Sequence, residues 1–217
     1  MITREYLSGD QLASHYTPSS PSERTDIPEI TQEDTHEAID GYVTDMLALE
    51  SQIQTVLAAQ IEDLDEHNEV KGPLILIHAK SDSHARVLEA LTQRREQNVG
   101  GVSKVVKKAV SSVLGLGAAA VDFVRTEKLP KLLRDDYTAI SLACIGYLML
   151  HTTALSFHDG EVAELAKSHL ADYAESLKAL QHVIPAETVA YLASENLAVD
   201  VSVLPEVEAT IDEVWKQ

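Results

Sequence analysis

Apolar positions along this chain recur at helical spacing and almost nowhere alternate. From Ile39 onward, Tyr42, Val43, Met46, Leu49, Ile53, Val56, Leu57 and Ile61 fall three or four residues apart. That spacing predicts a helix over about 32–66. "TQED" at its start resembles a capping box with Asp34 in the fourth position. Gly72-Pro73 is expected to break the helix. Leu74, Ile77, Ser81, His84, Leu88 and Leu91 then form a second stripe that ends near "NVGG". These two helices are expected to make an antiparallel hairpin.

Residues 101–127 differ in kind. Val102, Val105, Val106, Ala109, Val110, Val113, Gly117, Ala120, Val121 and Val124 share one face, and Lys104, Lys107, Lys108 and Ser111 the other. Pro130 suits the first turn of a third long helix, over about 130–158, which Asp159-Gly160 is expected to end. A fourth is expected over about 161–183, with Val162, Leu165, Leu170, Tyr173, Leu177 and Leu180 on its core side. Pro185 should open a short helix to about 197, and Pro205 a last one with Val207, Ile211, Val214 and Trp215 on one face. "VDVSV" at 199–203 reads as an extended linker.

The expected organisation is a flexible tail over 1–30, a helical bundle over 31–197, and a linker with a short amphipathic helix over 198–217. Two hairpins joined by a long crossover are the connectivity of ferritin-like four-helix bundles. The expected class is therefore all-α: a ferritin-like four-helix bundle with an extra crossover helix and short C-terminal helices.

Composition narrows the function. The 217 residues are 45% hydrophobic, enough for a real core, with only two Phe and one Trp. A formal net charge of −18 argues against nucleic acid as a partner, because an acidic surface repels phosphate. The single cysteine, Cys144, sits in an oily run and suits a reducing compartment. No signal peptide is apparent at "MITREYLSGD", and no membrane span is expected, since no uninterrupted run of 18 apolar residues occurs. The reading is a cytoplasmic protein.

Metal is the chemistry such a bundle most often carries. A di-iron site takes a Glu from each of two helices and a Glu-x-x-His from each of the other two. Glu50 lies on the inward stripe of the first helix and is a candidate ligand; its alternative is a stripe-edge acid reaching solvent. His84 faces inward, but three residues earlier stands Ser81 rather than Glu. His151 shares a heptad-spaced stripe with Cys144 and His158, and no Asp or Glu occurs from Tyr137 to His158. His151 therefore reads first as a core histidine bonded to Tyr147 or to a facing side chain. His169 and Asp172 come in the order His-x-x-Asp, with His169 expected near the core boundary. No phosphate loop and no Gly-x-Ser-x-Gly elbow is present.

"LALESQI" (47–53), "SDSHARVLEAL" (81–91), "LLRDDYTAISLACIGYLMLHTTAL" (132–155) and "FHDGEVAEL" (157–165) resemble the ferritin-like stress-response proteins of the YciE/YciF type, as a divergent branch. The resemblance covers roughly residues 32–185. It implies a ferritin-like bundle, often dimeric, with a bacterial stress role. It implies a metal-ligating Glu near Glu50, and third-helix acids and a histidine near Ile140, Ser141 and Ala143, where this chain has none.

The expectation is a non-catalytic bundle acting through protein contacts, as a homodimer, with no cofactor. One rival is an iron or manganese oxidase or ferroxidase built on Glu50, His84, His151 and Asp172. Another is a protein of anionic membrane surfaces, because nine of the seventeen Lys and Arg lie between Arg94 and Arg134. On that rival reading Lys104, Lys107 and Lys108 would face the lipid. Trp215 on the last helix is expected to dock on the chain itself or on a partner surface.

Overall fold

The computed structural model describes residues 32–65, 69–99 and 128–215. The expected tail and the crossover helix, with Lys104, Lys107 and Lys108, lie outside the described residues. Five α-helices follow in order: α1 (Gln32–Asp63), α2 (Lys71–Val99), α3 (Leu129–Ser156), α4 (Gly160–Ser194) and α5 (Leu204–Trp215), with a 3-10 turn at Val201–Val203. No strand occurs among the described residues, and the fold is an all-α helical bundle. "VDVSV" is not extended throughout: its last three residues are the 3-10 turn, capped by the Asp200 carboxylate on Ser202 N at 2.9 Å.

The apolar stripes become the core. Ile39, Val43, Met46, Ile53 and Leu57 of α1 meet Leu74, Ile77, Leu88 and Leu91 of α2, Leu133, Ile140, Tyr147 and Leu150 of α3, and Val162, Tyr173 and Leu180 of α4. The α2 stripe is buried at all six expected positions, including the polar Ser81 and His84. On α4 the core line runs instead through Ala163, Ala166, His169, Tyr173, Ser176 and Leu180, while Leu165, Leu170 and Leu177 flank it half-buried. Small residues at the centre let neighbouring helices approach, and the leucines fill the sides. His169, expected at the boundary, is buried for that reason.

Polar pairs fix which ends meet. Arg95, late in α2, donates to Asp40, early in α1, at 2.7 Å and to Asp159, the N-cap of α4, at 2.8 Å. Gln60, late in α1, donates to Asp136, early in α3, at 2.8 Å. Thus α1 and α2 are antiparallel, as are α3 and α4, and the C-terminus of α2 and the N-terminus of α3 lie at opposite ends of the bundle. α1 and α3 come close at Gly146, where a Cβ would overlap the Met46 sulfur.

Several expected boundaries shift. Gly72-Pro73 does not separate the first two helices but lies in the first turn of α2, where proline costs no helical hydrogen bond. His158, at φ 61°, takes the left-handed position after α3, and Asp159 N donates to Ala154 O at 2.9 Å, closing a Schellman-type cap. Gly160 instead begins α4, with the Asp159 carboxylate capping Val162 N at 3.1 Å. Nor does Pro185 open a new helix. α4 runs through it to Ser194, and Val183 and Ile184 still pack on the core. The packing of Val183 and Ile184 just before the proline offsets the one hydrogen bond it removes.

α3 is long and apolar enough to cross a membrane by length and composition, although its sequence has no uninterrupted run of that size. Its inward line is engaged with the other helices of the bundle.

Candidate functional site

The core is not wholly apolar. At mid-height α1 places Glu50 on its inward line between Met46 and Ile53, and the carboxyl is 0% exposed. All three other long helices send it donors. From α2, Ser81 Oγ donates to Glu50 Oε2 at 2.5 Å. From α3, the Tyr147 hydroxyl donates to Oε1 at 2.5 Å. From α4, the Tyr173 hydroxyl donates to Oε2. His84 Nδ1 lies 3.1 Å from Oε1. Four partners on two oxygens match the full acceptor capacity of an ionised carboxylate.

Each donor sits there for a local reason. A buried tyrosine needs a partner for its hydroxyl, and Tyr147 and Tyr173 both ride core stripes. Burial, reinforced by the Glu50 charge and by the hydrogen bond to it, holds both phenols protonated, far above the ordinary phenol range. They are therefore fixed as donors. Gln54 Nε2 donates to the Ser81 carbonyl at 3.1 Å and ties α1 to α2 beside the acid.

His84 carries the network outward. Its Nε2 lies 3.1 Å from Asp172 Oδ2, and that side chain is 42% exposed. Asp172, His84, Glu50 and the two phenols form one chain from solvent to the core. An imidazolium donates to both carboxylates at once, whereas a neutral ring donates to only one. His169 stacks on His84, with ring centroids 3.9 Å apart and planes 20° apart. Burial pushes His169 down to about 3, with the neighbouring His84 adding to the shift and Asp172 opposing it. Its Nδ1 is buried without a hydrogen-bond partner.

Of the four residues singled out as metal candidates, Glu50, His84 and Asp172 come together. His151 does not. Its Nδ1 lies 2.8 Å from the Ala163 carbonyl, at the half-buried junction of α3 and α4. It is bonded to backbone rather than to Tyr147 or a facing side chain. Glu50 is not the solvent-reaching acid considered as its alternative.

The donor set does not fit a carboxylate-bridged metal pair. Both oxygens of Glu50 are engaged by protein groups, α3 presents the Tyr147 phenol where an acid is required, and Ser81 stands in place of the second-helix Glu. Among the described residues, no three His, Cys, Asp or Glu side chains form a grouping suited to hold an ion.

A second buried acid lies toward one end. Asp136 is pushed up to about 7 by burial, opposed by the Gln60 hydrogen bond and aided by the Asp135 charge. Its Oδ2 and the Gln60 Oε1 have no partner. Burial likewise pushes the Cys144 thiol up, away from the reactive range. At the C-terminus α5 leans on α4 through half-buried Val207 and Ile211 and the His182–Glu208 contact at 2.6 Å. Trp215 is 64% exposed, so the last turn is not docked on the described residues.

Sequence reasoning missed Tyr147, Tyr173, Ser81 and the Asp136–Gln60 pair as parts of a polar core. The available signal was three hydroxyl-bearing residues on inward stripes around one inward acid, each needing a partner.

No protein-family model matches the chain, and no curated protein matches it. Among solved structures, the crystal structure of a protein (XCC3681) from Xanthomonas campestris pv. campestris is similar, with a TM-score of 0.58 at 20% identity. The match covers 75% of this chain and 99% of that one. At that identity the likeness is one of fold.

Proposed function

We propose that this chain is a ferritin-like bundle of the YciE/YciF type without metal chemistry, acting as a homodimer through protein contacts in a bacterial stress response. The observation that carries this reading is the Glu50 carboxyl, engaged by Tyr147, Tyr173, Ser81 and His84. In a metal-binding bundle that acid would present free oxygens to an ion. Here it joins all four long helices. The placement of the α2 and α3 ends at opposite poles also supports the ferritin-like connectivity, which requires a full-length crossover between the hairpins.

The rival is an iron or manganese oxidase. The convergence of Glu50, His84 and Asp172 favours it, and the remote position of His151 weighs against it. Metal analysis of untagged protein, purified without chelator and then reconstituted with ferrous or manganous ion, separates the two. The proposal expects no stoichiometric metal. About two ions per chain, lost in Glu50→Gln, would establish the oxidase reading.

A further inference from the structure

The outward line of α3 is the one long surface in the described structure that has no charge along most of its length. Thr138, Leu142, Ile145, Met149 and Thr152 follow one another at three- and four-residue steps, with Leu148 and Leu155 beside them. All are exposed, and the five large side chains among them are 45% to 59% exposed. From Tyr137 to His158 no Asp, Glu, Lys or Arg interrupts the helix. The stripe is about 26 Å long at 1.5 Å per residue. The outward faces of the other helices differ. On α2, Ile75, Leu76 and Val87 are exposed but interspersed with Lys80, Asp82, Arg86 and Glu89.

From this we infer that the α3 stripe is the contact between two copies of the chain, packed antiparallel about a two-fold axis near Leu148. The inference rests on the reading that the protein acts through protein contacts as a homodimer, and names the surface.

Two arguments select a second copy as the occupant. Copies of a chain with formal charge −18 repel each other, so they can associate closely only where acids are not brought face to face. The α3 stripe meets that condition over its whole middle. The antiparallel arrangement also opposes the two helix dipoles and sets the Lys131 and Arg134 end of one stripe toward the α3–α4 turn of the other. There Asp159, Glu161 and Glu164 are paired with Arg95, Arg94 and Lys167, so the ends bring ion-paired rather than bare acids together. In this register Ile145 faces Met149 of the partner subunit. Half of five large apolar side chains and the threonine methyls on each copy amount to roughly 1,000 Å² in total, the scale at which a specific interface begins.

The test is sedimentation of the full-length chain and of Ile145→Glu/Met149→Glu, with Leu76→Glu, at a more exposed apolar position on α2, as a control. The wild type and the control should be dimers that tighten as salt screens the mutual repulsion. The double variant should dissociate at least about a hundredfold more readily. Its helical circular dichroism should be unchanged, because the replaced side chains do not line the core. In a Cys144→Ser background, Leu148→Cys should oxidise to a disulfide-linked pair.

Several outcomes overturn the inference. A double variant that stays dimeric would place the contact elsewhere while leaving the homodimer reading intact. A monomeric wild type would defeat both, and metal content would still judge the non-catalytic reading. If that monomer loses thermal stability in Ile145→Glu/Met149→Glu independently of concentration, the stripe is covered by the chain itself. If it floats with anionic vesicles and the variant does not, the occupant is lipid.

Discussion

Tyr147 of α3 and Tyr173 of α4 donate to opposite oxygens of the same buried carboxyl, so Glu50 holds together two helices it does not belong to. The two rings lie 6.1 Å apart, centroid to centroid. Glu50→Gln keeps the shape but turns one acceptor into a donor, facing hydroxyls that are already donors. The expected loss is about 3–5 kcal/mol of stability, the usual cost of breaking a buried charged network. Tyr147→Phe and Tyr173→Phe should each cost about 1–3 kcal/mol. Urea unfolding of the three variants checks this, and a Glu50→Gln cost below that of either phenylalanine variant would contradict it.

Asp136 should make the protein weaker as pH rises. Its folded value is about 7 against an ordinary 3.8, so the folded chain keeps a proton that the unfolded chain has released. Stability from this group is full below the unfolded value, falls between about pH 4 and 7, and is level above. Asp136→Asn retains the acceptor for Gln60 and removes the slope. Its gain at pH 8 is on the order of 4 kcal/mol at most. Denaturant titrations of both proteins at pH 5 and pH 8 provide the comparison, and equal pH slopes would refute the assignment.

His169 has the opposite sign. Its folded value is lowered to about 3 from 6.5, so the unfolded chain takes up a proton that the folded chain refuses. The stability it allows is present above about 6.5 and is lost as pH falls toward 3. His169→Phe preserves a flat ring against His84 without a titrating nitrogen. The variant should resist acid better than wild type at pH 5, read as the urea midpoint, while the two differ less at pH 7.5. An unchanged acid limb would mean that His169 is protonated in the fold.

His151→Leu should move stability by no more than about 1 kcal/mol. The Ala163 carbonyl lies inside α4 and keeps its helical partner when the imidazole is gone, and the site is only half-buried. A thermal melt showing a loss of several kcal/mol would mean that the α3–α4 seam depends on this bond.

Periodicity made the bundle legible because each long helix buries a single stripe. Ile39 through Leu57 and Leu74 through Leu91 are core positions for that reason alone. The inward places of Glu50 and His84 were legible in the same way. Their partners were not, since spacing tells which face a side chain occupies and not the height at which a neighbouring helix presents its own. Tyr147 meets Glu50 across 97 residues of chain, and the α1–α3 register that allows this appears nowhere in local sequence. Pro185 misled for the converse reason: its local preference for opening a helix yields to a continuous α4 that packs Val183 and Ile184 on the core.

Gly146 lies one residue before Tyr147, and Met46 one turn before Glu50. Because that glycine has no side-chain carbon, the thioether sits directly against the α3 backbone. The missing methyl thus acts as a spacing gauge between the two helices. In Gly146→Ala, either the flexible Met46 thioether swings aside or α1 stands off from α3. The second course would stretch the acid–phenol bond beside it, so the helix spacing that admits the thioether is also the spacing that closes the polar centre.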